Sequence, residues 1–225
     1  MTTTLRIDFV SDISCPWCAV GLGALQQALE RASDEVRADI HFQPFELNPS
    51  MWPGGQDIGE HLAQKYGSTP EQQAQIRDTI RLRGAEVGFE FNADGRGRVY
   101  NTLDAHRLLH WAGEEHPGQQ AALKMALLQA CHRDRLAMDS HDVLLAAVAQ
   151  AGLDTTHAQA ILAQGTYTPE VRERQAFYAS QGIRSVPAVI INQRHLISGG
   201  QPVQVFEQAL RQIAARSADT SAPLP

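Results

Sequence analysis

Two cysteines, separated by two residues, lie where a predicted strand runs into a predicted helix. Residues 5–12 (LRIDFVSD) alternate apolar and polar side chains and have the β-branched and aromatic content of a strand. Residues 19–32 carry leucines at helical spacing. In residues 15–18 (CPWC) a proline follows the first cysteine, as suits the first turn of a helix, and Ser14 is the predicted N-cap. The junction therefore places a pair of thiols at the start of a helix.

At such a junction the two thiols have different properties. Cys15 would lie among unpaired backbone N–H groups at the positive end of the helix dipole, and both favour the thiolate. Cys18 lies about one turn further on, so it can attack a mixed disulfide on Cys15 and release the substrate. The pattern predicts a redox-active dithiol in which Cys15 attacks and Cys18 resolves. Trp17, between the two sulfurs, is predicted to be an exposed rim aromatic that contacts the substrate.

Two alternatives remain for the cysteine pair. It could form half of a zinc site, with His106 and His110 at i,i+4 spacing as further ligands, but these histidines fall in the middle of a predicted helix. It could also be an inert, buried pair of small hydrophobes. The strand-to-helix junction argues against that reading, and we expect no metal.

The rest of the chain changes between mixed and purely helical patterns. A second strand is predicted at residues 39–46, and helical patterns dominate from 57 to 165. A helix, two strands and a final helix follow at residues 170–181, 186–192, 195–200 and 203–216. The predicted fold class is α/β, in the order β-α-β, a large all-helical insertion, then α-β-β-α.

This order predicts a divided domain. We expect a discontinuous α/β domain formed by residues 1–50 and 167–216, a helical insertion domain at 51–166, and a disordered polar tail at 217–225.

Composition and charge argue against several classes of protein. The chain has 225 residues and a net charge of −6, which argues against nucleic acid as a partner. No stretch has the length of a membrane span, and the N-terminus lacks a signal-peptide pattern, so we expect a cytoplasmic protein. In that reducing compartment, a chain with three cysteines is expected to use them for chemistry rather than for a disulfide framework. The nearest basic patch, formed by Arg81, Arg83, Arg96 and Arg98, is interpreted as a solvated surface, or alternatively as one that steers an anionic ligand.

Three further features bear on the site. Val186-Pro187 opens a late strand, and on pattern alone it is either an edge-strand device or a cis proline that faces the dithiol and holds a substrate chain. Asp12, at the end of the first strand, could shuttle the proton of the second thiol, or could be a helix cap or a solvated carboxylate. Cys131 is predicted to be a buried helix residue, with a redox-sensitive thiol as the alternative.

Five segments together resemble a known family. They read D-x-x-C-P-W-C-A-x-G, F-E-L-N-P, N-T-L-x-A-H-R-L, S-V-P-A-V-I-I-N and I-S-G-G-Q-P, and the match runs from about residue 5 to about residue 212. As a set they resemble the DsbA-like thioredoxin superfamily, most closely the FrnE-type dithiol–disulfide oxidoreductases and isomerases. The resemblance implies a thioredoxin-like fold with a helical insertion.

The resemblance also implies roles for individual residues. It matches Cys15 and Cys18 to the catalytic pair and Pro187 to the cis proline of the family. The residues expected to bind substrate are Pro16, Trp17, Val186, Asn101, Thr102 and His106, the last three at a domain interface over the active site. The chain departs from the strongly oxidising periplasmic DsbA proteins, which have Pro-His between the cysteines, so Cys15 need not be as acidic as theirs. It also has only Cys131 where some FrnE-type proteins carry an additional cysteine pair.

The predicted function is thiol–disulfide exchange on protein or small-molecule substrates, without a tightly bound cofactor. An alternative comes from kappa-class glutathione transferases and 2-hydroxychromene-2-carboxylate isomerases, which this architecture also resembles. They activate glutathione with a serine where this chain has Cys15, so glutathione would be a co-substrate. A third hypothesis, a non-catalytic binding module, predicts that Cys15→Ser leaves function intact. We expect a monomer or weak homodimer, with neither nucleic acid nor membrane as a partner.

Overall fold

The computed structural model describes residues 2–220, and mixed segments at both ends of the chain enclose a helical middle. In chain order the elements are β1 (Thr3–Ser11), α1 (Pro16–Arg31), β2 (Val36–Pro44), β3 (Gln56–Asp57), α2 (Ile58–Tyr66), α3 (Pro70–Glu86), β4 (Arg98–Val99), α4 (Leu103–Glu115), α5 (Pro117–His132), α6 (His141–Gln150), α7 (Thr155–Gln164), α8 (Thr168–Ser180), β5 (Ala188–Ile191), β6 (His195–Ser198) and α9 (Val203–Thr220).

A four-stranded sheet in the order β2-β1-β5-β6 brings the two ends of the chain together. β1 runs parallel to β2 and antiparallel to β5, and β5 runs antiparallel to β6. The parallel pair needs the crossover helix α1, whereas the late strands are joined by a tight turn. Leu5, Ile7 and Phe9 of the central strand are fully buried. The predicted α/β class is confirmed, as is the predicted order of elements, β-α-β before the helical middle and α-β-β-α after it.

Local sequence signals account for several element boundaries. Thr69 forms a capping box with Gln72 at the start of α3, and the Asp154 carboxylate accepts hydrogen bonds from two backbone N–H groups at the start of α7. Asn192 and Gln193 have φ values of 51° and 55°, so the turn between β5 and β6 has both central residues in the left-handed region.

The structure differs from the sequence prediction at three places. The N-cap of α1 is Cys15 and not Ser14, because the Ser14 hydroxyl accepts a hydrogen bond from Arg96 instead. Two short strands, β3 and β4, pair antiparallel inside the segment expected to be helical. The tail predicted to be disordered from residue 217 begins inside α9, which runs to Thr220, and residues 221–225 lie outside the described part of the chain.

The helical middle covers one end of the sheet. α4 and α5 both pack against β2, and α5 also contacts α1. Leu108 and Trp111 of α4 and Leu123 and Leu127 of α5 are fully buried in the same apolar cluster as the central strand. This packing brings side chains of α4 and α5 to the point where β1 runs into α1.

Among the described residues, no helix combines the length and apolar character that crossing a bilayer requires.

Candidate active site

The two cysteines of the C-P-W-C segment lie at the start of α1 as free thiols. Cys15 is the N-cap residue and is 6% exposed, whereas Cys18 is fully buried. The backbone N–H of Cys18 donates to the carbonyl of Cys15 over 3.0 Å, and that of Cys15 donates to the carbonyl of Asp12 over 3.2 Å. Cys15 is therefore the thiol that a substrate can reach, and Cys18 lies behind it.

The surroundings of the two thiols move their pKa values in opposite directions. Hydrogen bonding from the Cys18 thiol, then from its backbone N–H, lowers the pKa of Cys15, and the positive charge of Arg96 adds to this effect. Burial raises the pKa of Cys18 well above the ordinary value, and the neighbouring Cys15 raises it further. A thiolate at Cys15 beside a protonated Cys18 is the arrangement that thiol–disulfide exchange requires.

The loop before β5 faces Cys15. The Val186–Pro187 peptide bond is cis, and the carbonyl of Val186 lies 3.6 Å from the sulfur of Cys15 as its hydrogen-bond acceptor. The carbonyl of Pro187 accepts from the backbone N–H of Gly199 over 2.8 Å. The segment from residue 186 onward thus forms one wall of the site.

A buried carboxylate, Asp12, links four parts of the site. Its Oδ1 accepts from the backbone N–H of Ser14 over 3.0 Å and from the Thr102 hydroxyl over 2.8 Å, and its Oδ2 accepts from the backbone N–H of Leu47 over 2.7 Å. Nε2 of His106 lies 3.6 Å from Oδ1. Burial opposes ionisation of Asp12, but His106 and the backbone donors outweigh it and lower its pKa. This carboxylate accepts three hydrogen bonds and is held as the anion. The role of proton shuttle suggested by its position remains a hypothesis.

Thr102 and His106 therefore reach the site through Asp12, while Asn101 lies beside it. The Asn101 side chain accepts from the backbone N–H of Leu103 over 2.9 Å and donates to the carbonyl of Pro49 over 3.2 Å. Asn101 thus holds the start of α4 against the segment after β2. Trp17 was predicted to be an exposed rim residue, but it is half-buried and packed against the core.

Three charged or titratable residues at the site were not singled out as site residues from the sequence. The Arg96 guanidinium donates to the carbonyl and hydroxyl of Ser14, so this arginine belongs to the site and not to a solvated patch. Nε2 of His132 lies 2.9 Å from the carbonyl of Ile13, and burial lowers the pKa of this histidine to about 3. Both residues fix the loop between β1 and α1. The third is Lys124 of α5, which is fully buried near the dithiol.

The remaining cysteine and the two histidines considered as zinc ligands have different surroundings. Cys131 is buried on α5 as predicted, and burial raises its pKa to about 12. His106 faces Asp12, while the ring of His110 lies 5.2 Å from that of Tyr167. Within residues 2–220, no group of three or more histidine, cysteine or acidic side chains is placed to hold a metal ion.

An open groove lies beside the segment that binds Asp12. It has a volume of about 350 Å³ and is lined by Asn48, Pro49, Ser50, Met51, Trp52, Gln56, His61, Gln64 and Lys65. Trp52 is 57% exposed at its rim. The groove adjoins Leu47, whose N–H binds Asp12, so it is a candidate surface for the part of a substrate that extends beyond the reacting sulfur.

Comparison with known proteins places this arrangement in a family. A family model described as the DSBA-like thioredoxin domain matches residues 6–211. The YwbO protein of Bacillus subtilis (strain 168) is 27% identical over 210 residues, covering 92% of this chain and 96% of that protein. The crystal structure of a probable DsbA oxidoreductase from Streptomyces coelicolor is 32% identical, covers 98% of this chain and 93% of that one, and superposes with a TM-score of 0.86.

A more distant structure shares the fold alone. It is a 2-hydroxychromene-2-carboxylate isomerase, 14% identical, which covers 96% of this chain and 100% of that chain with a TM-score of 0.69. The family model, in contrast, spans the sheet, the helical middle and the cysteine pair. The chain therefore belongs to the DsbA-like thioredoxin family.

Proposed function

We propose that the protein is a dithiol–disulfide oxidoreductase or isomerase of the FrnE type, in which Cys15 attacks a substrate disulfide and Cys18 resolves the mixed disulfide. The Cys15 thiolate forms a bond to one substrate sulfur, and the other substrate sulfur leaves as a thiolate. Cys18 then bonds to Cys15 and displaces the remaining substrate sulfur. The dithiol is oxidised and the substrate disulfide is reduced, and the reverse sequence donates a disulfide.

The observation that carries this proposal is the difference between the two thiols. The pKa of Cys15 is lowered and this residue is 6% exposed, whereas the pKa of Cys18 is raised and this residue is fully buried. A metal site needs both cysteines as thiolates, and an inert buried pair would not have one lowered pKa.

The walls of the site suggest where a substrate binds. The backbone beside Val186 can pair with an extended substrate chain, as an added strand does. Pro16 and Trp17 border the reacting sulfur on the other side, and the groove beside Leu47 extends the surface. We therefore propose disulfides or thiols of proteins or small molecules as substrates. The cytoplasmic location expected from the sequence stays a prediction.

A redox titration tests the proposal. The protein is equilibrated in glutathione buffers of graded potential, quenched with acid, and the Cys15–Cys18 state is read by mass spectrometry. We expect an intramolecular disulfide with a potential between about −120 and −280 mV, the range from DsbA to thioredoxin. The Cys131→Ala variant is expected to titrate identically, because Cys131 is buried on α5. A pair that never closes would contradict the dithiol mechanism.

A glutathione-dependent transferase or isomerase is the second candidate. Its support is the groove of about 350 Å³ beside the segment that binds Asp12, together with the fold shared with 2-hydroxychromene-2-carboxylate isomerase. The same titration separates the two candidates. Accumulation of a stable glutathione adduct on Cys15, without closure to Cys18, would favour this second function.

A further inference from the structure

Lys124 occupies an unusual position for a lysine. It lies on α5 with its side chain fully buried, and its Nζ has no hydrogen-bond partner among the residues that the structure describes. The other lysine of the chain, Lys65, is exposed and donates to the carbonyl of Leu47 over 2.9 Å and to the side chain of Asn48 over 2.8 Å. The two lysines therefore differ in both burial and pairing.

Packing alone does not account for a buried, unpaired amine. Its neighbours along the helix, Leu123, Leu127 and Leu128, are apolar and fully buried. A methionine would fill similar space without the loss of hydration that an amine suffers on burial. Departures of this kind from the rules of core packing are concentrated at functional sites. The titratable groups around Nζ therefore indicate which group the amine acts on.

The titratable groups that lie near Lys124 come from three elements besides its own. They are Cys15 and Cys18 at the start of α1, Asp12 at the end of β1, His106 and His110 of α4, and His132 on α5 itself. Lys124, His106 and His110 line one small cavity of about 10 Å³ together with Gln43. Burial lowers the pKa of Lys124 to about 8, and negative charge on Cys18, then on Asp12 and Cys15, opposes this lowering.

Among the acidic groups, Cys18 is the one whose proton the proposed reaction must remove. The Asp12 carboxylate already accepts hydrogen bonds from Ser14, Leu47 and Thr102. The Cys15 sulfur faces the carbonyl of Val186 and the incoming substrate. The Cys18 thiol must lose its proton before it can attack, and it is enclosed away from water. A base inside the protein is therefore needed to take up the proton of the Cys18 thiol.

We propose that the Nζ amine of Lys124 accepts the proton of the Cys18 thiol as Cys18 resolves the mixed disulfide. This inference rests on the proposed function. In the step, the S–H bond of Cys18 breaks and an N–H bond forms on neutral Lys124, giving an ammonium. The Cys18 sulfur bonds to the Cys15 sulfur, and the bond between Cys15 and the substrate sulfur breaks. The substrate leaves as a thiolate, so the dithiol is oxidised and the substrate is reduced.

The test separates the two chemical steps by stopped flow with 5,5′-dithiobis(2-nitrobenzoate). Attack by Cys15 releases one thionitrobenzoate at a rate that depends on reagent concentration. Resolution by Cys18 releases the second at a rate that does not. We expect Lys124→Met to slow the second phase by about 100-fold, the order of magnitude of general-base catalysis, and to shift its pH midpoint upward. The first phase should stay within about twofold of the wild-type rate, because it depends on the Cys15 thiol, whose pKa is lowered chiefly by hydrogen bonding from Cys18.

Two further variants sharpen the result. Lys124→Arg keeps the positive charge but cannot act as a base near neutral pH, so its second phase is expected to be slow as well. Arg37→Met removes an exposed positive charge on β2, away from the site, and should leave both phases unchanged. Lys124→Met is also expected to raise the midpoint of urea unfolding, because it removes a buried amine without a partner.

The outcomes are distinct for this inference and for the proposed function. A wild-type protein with no second phase would contradict the dithiol mechanism itself. A normal second phase in Lys124→Met, with an unchanged pH midpoint, would overturn the role of Lys124 alone. Equal slowing of both phases, with a lowered unfolding midpoint, would likewise overturn it by showing that Lys124 acts only on the fold.

Discussion

The hydroxyl of Thr102 donates to Oδ1 of Asp12 over 2.8 Å, and both residues are buried. Thr102 is the N-cap residue of α4, and Asp12 follows the central strand just before the reactive cysteine. The same carboxylate oxygen accepts from the backbone N–H of Ser14 over 3.0 Å. One hydrogen bond therefore couples the position of the helical region to the geometry of the loop that carries Cys15.

Removing this hydroxyl should weaken the whole fold. Thr102→Val keeps the shape of the side chain but leaves Oδ1 of Asp12 with one donor fewer. We expect the free energy of unfolding to fall by about 1–3 kcal/mol, as for hydrogen bonds to buried charged groups. Urea denaturation followed by circular dichroism measures the change. Thr79→Val is the matched control, because its hydroxyl is exposed and bonds only to the Gln75 carbonyl of its own helix. Equal losses in both variants would contradict the coupling.

The acidity of Cys15 should depend on its partner thiol. Hydrogen bonding from Cys18 is the largest influence that lowers the pKa of Cys15. We therefore expect Cys18→Ala to move the pH midpoint of Cys15 alkylation by iodoacetamide upward, with peptide mass spectrometry as the readout. Cys18→Ser keeps a hydroxyl donor and should give a midpoint between those of the wild type and Cys18→Ala. A midpoint that stays in place in both variants would show that other groups set the pKa.

We expect the third thiol, that of Cys131, to be unreactive in the folded protein. Cys131 is buried, and its pKa is raised to about 12. At pH 8 we expect iodoacetamide to alkylate Cys15 rapidly and Cys131 only after unfolding in urea. Cys131→Ala is expected to leave the redox titration unchanged and to cost about 1 kcal/mol of stability through the small cavity it creates. Rapid alkylation of Cys131 in the native protein would instead support the redox-sensitive role considered from the sequence.

The sequence predicts those structural features that depend on residues close together in the chain. The strand, the cysteine pair, the capping residues Thr69 and Asp154 and the turn at Asn192 all follow from periodicity or from local turn chemistry. The resemblance of the five segments to a known family implies the thioredoxin-like fold, and the predicted strand–helix–strand order fits the parallel pair of β1 and β2, which needs a crossover helix.

The inner wall of the site depends instead on packing between distant segments. Arg96 reaches Ser14 and His132 reaches Ile13 across more than 80 residues of chain. Their local sequence resembles that of ordinary helix and loop residues. The sequence does contain a weak indication that Lys124 is unusual, because it is the single charged residue in the apolar stretch AALKMALL. Which face of that helix meets the dithiol is decided by the tertiary fold.

We expect the buried His132 to make the folded protein less stable as the pH falls. Burial lowers its pKa from 6.5 to about 3, so the unfolded chain binds a proton between these values that the folded protein does not. Stability from this group is complete above pH 6.5 and is lost as the pH falls towards 3, with a slope of up to about 1.4 kcal/mol per pH unit. His132→Gln should flatten this slope in urea titrations at pH 6.5, 5.5 and 4.5. His195→Gln on the edge strand β6 is the control, and an unchanged slope in His132→Gln would contradict the assignment.

Helix α1 packs closely against the loop that carries Pro187, so we expect that a side chain at Gly21 will destabilise the protein. A Cβ at Gly21 would lie 3.0 Å from Cγ of Pro187 and 3.4 Å from the backbone of Gly200, so the helix or the loop must shift. We expect Gly21→Ala to lower the free energy of unfolding by about 1–3 kcal/mol, as overpacking does, and to change the redox potential of the dithiol. Gly118→Ala is the matched helical control. A Cβ there meets no atom of the described residues within 4 Å, so this variant should gain up to about 1 kcal/mol from helix propensity with the potential unchanged. If Gly21→Ala behaved like Gly118→Ala in both measurements, the loop that carries Pro187 would not depend on its contact with α1.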